Sequence, residues 1–522
     1  MTNPLSPRAD LLLRVVLAIL SGFALSLLVA PMEWHWLHFV VYLPMFAALR
    51  DEPRLGMNAL LGWLYGIVAV GSIFHWLTDT IALFSNIPNV LAYAILLLFS
   101  LVFSATYPIL WGSVMPLRRK LGDGWMLAIP ALQVVLEWLS QFVFLFPYNH
   151  GVSQYRVPEI WQLVSVTGVS GLSFLLFFWG AVFAEAGFRW REGRAFPVRW
   201  VSAAVGVWSL VIIFGHFRYE SVEAALVGAP TLSVAQLQSK ETMVERLSQP
   251  ARAAYLYWIE RAFAVAPGSV DLIVLPEGAS PYSLQDKTFK EHFAALAQYE
   301  KAEIVVGSGA RDRVPGTNTR TGFATFNTVY HVSKQGLVTG RYDKMVPLPF
   351  GEYMPFKGWP VLGTIADQIE GVGDFQAGTV AVVLGEGGKF RMATPICYEA
   401  ILGRTCALFG DYDLFVTVTN DAWFGDTAAP HQHAMLAAVR ATELGVPMYR
   451  SAYTGVSFIV EPHGVIRDET EPFTEVARKV TVRVAHLPTI YAKFGDWFVF
   501  VCAMGLAFAL AATRMAPAGE KS

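Results

Sequence analysis

The sequence predicts a multi-span membrane bundle with a water-soluble α/β domain inserted ahead of the last span. Three observations carry this reading. Of 522 residues, 54% are hydrophobic and only 15% charged, against about 25% charged in an average soluble chain. The mean hydropathy is +0.43. The apolar residues gather in long runs that stop near residue 217 and resume only at 497. Lys+Arg (39) nearly balances Asp+Glu (41), so the chain has no basic stripe or acidic tail to hold a polyion, which argues against nucleic-acid binding. The three cysteines, Cys397, Cys406 and Cys502, are too few for a disulfide scaffold.

A bilayer crossing needs about 20 apolar residues. Runs of this kind lie at 15–30, 59–77, 90–111, 125–146, 163–188, 200–217 and 497–512, with a shorter one, holding Pro44, at 36–49. Together they predict an eight-helix bundle, seven spans within residues 1–220 and the last at 495–514. Arg8, Arg50, Arg54, Arg118, Arg119, Lys120, Arg189, Arg191, Arg194 and Arg199 fall in the connections on one side, and the short loops on the other side carry only Arg156. Positive charge accumulates on the cytoplasmic side, which puts the N-terminus inside and the segment after the seventh span outside. The first run ends Leu28-Val29-Ala30-Pro31, without the small-residue spacing of a cleaved signal peptide.

Residues 228–488 have ordinary polarity and form the predicted outer domain. Strands fit 231–238, 271–275, 303–306, 324–332, 380–384, 390–397, 414–419 and 456–460, and helices fit 242–265, 287–297 and 433–444. Strand–helix alternation reads as α/β layers. Three strand ends finish in reactive side chains: Leu275-Pro276-Glu277, Tyr342-Asp343-Lys344 and Pro395-Ile396-Cys397. Singly, each is explained as a surface or core residue. Together they supply a base, a cation and a nucleophile, the parts that acyl transfer needs. A thiolate attacks, a carboxylate takes its proton, and an ammonium steadies the oxyanion.

The ordered set Glu277, Lys344, Cys397 resembles the Glu-Lys-Cys triad of the nitrilase superfamily. The stretches Pro349-Phe350-Gly351-Glu352-Tyr353-Met354-Pro355, Ile396-Cys397-Tyr398-Glu399, Asn420-Asp421-Ala422-Trp423-Phe424-Gly425, Pro430-His431-Gln432-His433 and Phe494-Gly495-Asp496-Trp497 resemble the apolipoprotein N-acyltransferase family, as do Glu137-Trp138, Phe146-Pro147, Gly151 and Gln154 in the membrane part. The resemblance implies an αββα sandwich and a bacterial inner-membrane enzyme with its catalytic domain on the periplasmic side. Such an enzyme passes an acyl chain from a phospholipid, through a cysteine thioester, to the N-terminal amine of a diacylglyceryl-cysteine lipoprotein, without a cofactor. It implies Glu277 as general base, Lys344 as oxyanion-stabilising cation and Cys397 as nucleophile. Glu352, Tyr398 and Glu399 are the implied assisting or substrate-binding residues. The chain departs from the family pattern at Leu237, Leu275, Gly278 and Tyr453. The rival readings are a membrane-tethered nitrilase-like amidase acting on water, and a transporter or receptor whose outer domain has lost its chemistry.

Other residues have plainer readings. His431 and His433, near Asp421, do not share one helical face and are not expected to hold a metal. Arg440 and Glu443, i and i+3, read as a structural ion pair. Cys406 is not expected to pair with Cys397, and Cys502 reads as packing. Glu137, within a predicted span, is either a functional carboxylate or a hydrogen-bonded group of the bundle. Phe356 and Trp359 follow Glu352 in a Pro- and Gly-rich loop that either packs into the core or enters the bilayer interface as a lid.

Overall fold

The computed structural model describes residues 6–50, 52, 54–84, 88–265, 267–313, 322–355 and 373–515. The chain divides into two compact units, one of Met1–Thr78, Pro88–Arg218 and Lys493–Ser522, the other of Asp79–Ile87 and Tyr219–Ala492.

The first unit is helical. Its opening helix, Pro7–Ala24, starts where Ser6 Oγ accepts the Ala9 N–H at 3.3 Å, with Pro7 in the turn where a missing N–H is harmless. Helix Leu55–Ile73 lies against helix Thr106–Leu121 at Gly62 and Gly66, one turn apart. A Cβ at Gly62 would stand 2.7 Å from Trp111 Cβ, and one at Gly66 2.5 Å from the Tyr107 ring. In lipid, close approach at small residues is what holds helices together, because apolar side chains gain little by leaving an apolar solvent.

Four helical segments have the length and apolarity of a bilayer crossing: Pro7–Leu28, Leu55–Ile73, Val169–Arg191 and Val198–Leu226. Asn89–Phe103 and Thr106–Ser140 pass together as a pair bent by 43°. Pro108 explains the break, since a continuous helix would need its missing N–H to bond the Ser104 carbonyl. The shorter apolar helices are His35–Leu49 and Trp497–Ala512, the first interrupted before Leu43–Leu49, which opens with Pro44 in its first turn. The eight predicted runs thus map onto four full-length helices, one bent pair and two short helices. Cations of the predicted inner connections are held by acids. Arg118 meets Glu185 at 2.6 Å and Glu192 at 2.7 Å, Arg189 meets Glu185 at 2.8 Å, and Arg50 meets Asp10 at 3.2 Å.

The second unit contains twelve described strands: β1 Thr231–Gln238, β2 Leu272–Leu275, β3 Glu303–Arg313, β4 Phe323–Val332, β5 Val338–Asp343, β6 Val383–Leu384, β7 Met392–Ala393, β8 Leu414–Thr419, β9 Met448–Ala452, β10 Phe458–Val460, β11 Ile466–Arg467 and β12 Val476–Arg483. They make two six-stranded sheets, ordered β12-β1-β2-β3-β4-β5 and β11-β10-β9-β8-β7-β6. In each sheet a parallel trio, β1-β2-β3 or β7-β8-β9, is flanked by antiparallel strands. On one face of the first sheet Leu237, Ile273, Leu275 and Ile304 pack with Tyr255 and Trp258 of helix Ala251–Ala264 and Phe293 of helix Lys287–Glu300. The other face meets the second sheet, where Ser451 Oγ in β9 donates to the Val274 carbonyl in β2 at 3.4 Å. Helix Ala429–Leu444 packs against β9. The layers therefore run helix, sheet, sheet, helix, as the resemblance implies.

Local differences from the expected elements have physical causes. The helix expected over 242–265 is two, Met243–Ser248 and Ala251–Ala264, divided at Pro250, with Thr242 and Glu245 forming a capping box on the first. The strand expected at 390–397 is ordered only over Met392–Ala393, with one further bridge from Ile396 to Val418, because the chain then turns sharply at Cys397.

Candidate active site

Glu277, Lys344 and Cys397 follow β2, β5 and β7, and the two-sheet packing brings these strand ends together. Glu277 emerges after Pro276 at the end of an apolar strand that buries all four of its residues. Its Oε2 accepts the Asn420 backbone N–H at 2.8 Å, and its Oε1 accepts Asn327 Nδ2 at 2.6 Å. Lys344, 1% exposed, places Nζ 2.6 Å from Glu352 Oε2 and 3.7 Å from Glu277 Oε1. Glu352 is fixed in a tight turn by the Leu348 N–H at 2.6 Å and again by Asn327 Nδ2 at 2.6 Å. One amide therefore bridges two carboxylates that share one ammonium.

Cys397 opens a 3₁₀ turn, Cys397–Ile401, with φ of 52°. A non-glycine residue rarely adopts this region, and the strain persists only where the surroundings over-determine it. Glu399 supplies that determination. Its carboxylate, fully buried, accepts the N–H groups of Ile396 at 2.8 Å, Met345 at 2.6 Å and Val346 at 3.0 Å, and the Tyr342 hydroxyl at 2.9 Å. It ties the Cys397 turn to the segment just after Lys344, so Glu399 is built into the frame of the site. Tyr398 stands beside Cys397 in the chain, its phenol pushed up to about 12 by burial.

Charge in this cluster is set by burial opposed by pairing. Burial raises the Glu277 carboxyl above the usual range although Lys344 pulls the other way. For Lys344, burial disfavours the ammonium, yet Glu352 and Glu277 together outweigh it and raise the amine. Burial, then Glu277, pushes the Cys397 thiol well up against the pull of Lys344. Cys397 thus favours its thiol form, and its side chain hydrogen-bonds Glu277. Glu277 is a stronger base than an exposed carboxylate, suited to taking that proton as attack occurs.

A second buried cluster lies in the same unit. Asp421 meets Arg450 Nη2 at 2.7 Å and His433 Nδ1 at 2.7 Å, with Thr419 Oγ1 donating at 3.1 Å. Burial alone would raise Asp421, but Arg450 and His433 hold it near 2. A guanidinium already occupies the position a metal would need between Asp421 and His433. The same holds at Glu223, Glu461 and His463, where Arg483 reaches Glu223 at 3.1 Å and Arg467 reaches Glu461 at 2.9 Å.

Asn327 and Arg450 were not singled out in the sequence. The signal was present: an Asn inside the apolar string of β4 and an Arg inside β9 are costly unless partnered. Arg440 and Glu443 form their ion pair at 2.8 Å. Cys397 and Cys406 are both free thiols, and Cys502 packs with Val134 and Val499. Phe356 and Trp359 lie outside the described residues. Leu237, Leu275 and Tyr453 share one core cluster. Gly278, at φ of 62°, faces Arg246, whose guanidinium lies 4.6 Å from the Tyr453 ring centre. The four departures thus gather around one packed group.

Residues 21–182 match the family described as apolipoprotein N-acyltransferase N-terminal domain, and residues 223–487 match carbon-nitrogen hydrolase. An apolipoprotein N-acyltransferase of Geobacter metallireducens is 31% identical over 96% of this chain and 94% of its own length. One from Sinorhizobium medicae is 31% identical over 79% and 77%. Among solved structures, a nitrilase-superfamily amidase from Nesterenkonia, 15% identical, aligns over 52% of this chain and 96% of its own at a TM-score of 0.35.

Proposed function

The chain belongs to the apolipoprotein N-acyltransferase family, and from that premise we propose a two-step acyl transfer in which Glu277, Lys344 and Cys397 carry the chemistry. In the first step Glu277 takes the Cys397 thiol proton while sulfur attacks the ester carbonyl of a phospholipid. Lys344 faces the oxyanion. The C–O bond breaks, Glu277 returns the proton to the departing glyceryl oxygen, and an acyl thioester and a lysophospholipid result. In the second step the α-amine of a diacylglyceryl-cysteine lipoprotein attacks the thioester, Glu277 accepts the amine proton, and the Cys397 sulfur leaves and recovers it as thiol. Glu352 keeps Lys344 in position and Glu399 holds the turn that presents Cys397.

The observation that carries this reading is the shared ammonium: Lys344 lies within ion-pair distance of both Glu277 and Glu352. A net negative, buried cluster leaves Glu277 basic enough to accept a thiol proton. The Arg- and Lys-rich connections of the helical unit support a bacterial inner-membrane location with the catalytic unit on the periplasmic side. Intact mass spectrometry of the protein incubated with phospholipid tests the reading. The expected result is an added acyl mass on wild type, absent from Cys397→Ala and removed by an amine acceptor. An acyl adduct retained in Cys397→Ala would place the nucleophile elsewhere.

A further inference from the structure

The turn that presents Glu277 is loose by composition and tight by contact. Pro276, Glu277, Gly278 and Ala279 form a β-turn, closed by the Ala279 N–H on the Pro276 carbonyl at 3.1 Å, and Gly278 stands at its third position with φ of 62°. Glycine enters this left-handed region without strain, but a residue that permits a conformation does nothing to hold it. Strand β3 lies directly against the turn at Gly307, where an added Cβ would stand 2.4 Å from the Pro276 carbonyl oxygen and 2.6 Å from Glu277 Cα.

A second contact comes from Arg246, on the short helix Met243–Ser248. Its Nη2 donates to the Gly278 carbonyl, which the turn's own hydrogen bond leaves open. The same guanidinium lies over the Tyr453 ring, 4.6 Å from its centre. Tyr453 is itself fixed. Its N–H donates to the Thr419 carbonyl at 2.9 Å, its carbonyl accepts the Ser239 N–H at 2.8 Å, and its ring meets Trp258 edge-on at 5.1 Å. Thr419 ends β8, and the next residue, Asn420, gives its N–H to Glu277 Oε2 at 2.8 Å. One guanidinium thus joins the backbone just past the base to a ring bonded to the segment that supplies the base with a donor.

We propose that Arg246 is a positioning residue for Glu277, fixing the turn that carries the carboxylate against the end of β8 that holds it. It acts by place rather than by charge, since Lys344 and then Glu352 are the charged groups that bear most on the Glu277 carboxyl. Donating to a carbonyl while lying flat on a ring needs a planar fork, which lysine does not have. Two departures from the family pattern fall into place with it: Tyr453 is the platform, and Gly278 leaves room, because a Cβ there would stand 3.3 Å from Arg246 Nη2. The inference rests on the proposed reaction, in which Glu277 serves both steps, so a misplaced Glu277 should slow both.

Single-turnover rates of the full-length chain test this, measured for thioester formation from phospholipid and for aminolysis of the thioester by a diacylglyceryl-cysteine peptide. Arg246→Met should slow both steps alike, by about 10- to 100-fold, the scale of a displacement of about 1 Å at a reacting group, while still melting above the assay temperature. Arg246→Lys, which keeps a donor and the charge but not the flat face, should fall between. Added to Glu277→Gln, Arg246→Met should cost little more, because no base is left to aim; a merely structural arginine would not give that non-additivity. A loss confined to one step would make Arg246 a contact for that step's substrate, and a full further loss in the Glu277→Gln background would make it a general brace. Either result overturns the proposal, as does a wild-type rate in Arg246→Met. Wild-type acylation by Glu277→Gln alone would instead bring down the proposed reaction, and the positioning role with it. Should Arg246→Met fail to fold, Arg246→Lys decides: an equal loss in both steps that vanishes in the Glu277→Gln background supports the proposal, and an unaltered rate overturns it.

Discussion

Two buried acidic clusters in the catalytic unit are built from the same kinds of residue and end in opposite states. At Asp421 one carboxylate faces a guanidinium and an imidazole, and it is held near 2, locked as an anion. At Glu277 two carboxylates face a single ammonium, and burial leaves Glu277 above the usual range. The difference is stoichiometric. A cation for every anion makes a brace, because neither partner has any use for a proton. One cation between two anions makes a base, because one carboxylate is always short of compensation.

The strongest way to break this contrast is Glu277→Gln. Loss of a positioned base costs about 10²- to 10⁴-fold, so thioester formation followed in a single turnover should nearly stop. A variant that acylates within tenfold of wild type would remove Glu277 from the proton path. Lys344→Met should come next, at about 10²- to 10³-fold, the usual cost of one oxyanion-stabilising group. It would also leave Glu277 and Glu352 facing each other uncompensated, so its acid limb should move to higher pH. In wild type that limb of kcat/KM should lie above the ordinary glutamate value of about 4.3, since a raised Glu277 is protonated, and useless as a base, until the pH exceeds its own pKa. A limb below that value would show that Lys344 outweighs burial.

The brace should answer in stability. Arg450→Met leaves Asp421 buried without its guanidinium and should destabilise by about 3–5 kcal/mol, read from the melting temperature. Restoring part of it with Asp421→Asn would confirm that the cost is an orphaned charge. The sign with pH follows from the lowered pKa: Asp421 contributes stability above its unfolded pKa of about 3.9, and that contribution disappears as pH falls toward 2. The smallest effect expected is that of Asn327→Ala. Each carboxylate loses one N–H, and hydrogen bonds to charged groups contribute about 1.5–3 kcal/mol, so a rate loss of about 10- to 100-fold with the fold retained should be seen. A loss of folding instead would make Asn327 a strand residue first and a site residue second.

Glu277, Lys344 and Cys397 could be picked out as candidates because each stands just beyond a strand end, Glu277 after the apolar Leu272–Leu275 and Lys344 after the more polar Val338–Asp343. Asn327 could not, because it sits inside β4, where pattern reading registers the neighbours Phe326 and Val329 and passes over the amide. β9 escaped for the same reason, since Arg450 interrupts its alternation. β12 reads Val476-Ala477-Arg478-Lys479-Val480, polar on the outer face of an edge strand, and so carries no apolar string to mark it. In the membrane unit the number of apolar runs was readable but their continuity was not: Pro108 and Pro44 turn two of them into broken helices. The gathering of Leu237, Leu275 and Tyr453 in one core is a three-dimensional fact that no spacing along the chain announces.

The pairing of β1 with β12 joins Thr231 to Arg483, so the polypeptide enters and leaves the catalytic unit about 5 Å apart. A module whose two ends touch can sit between two membrane helices without stretching either neighbour, in the manner of a loop grown large. Its closing strand is also the last to be synthesised. Until residue 483 has emerged, β1 is an open edge, exposed to any other strand in reach. The interval before β12 pairs is therefore the vulnerable moment in the folding of this unit, and the charged outer face of β12 is well placed to end it by leaving the finished sheet an unattractive rim.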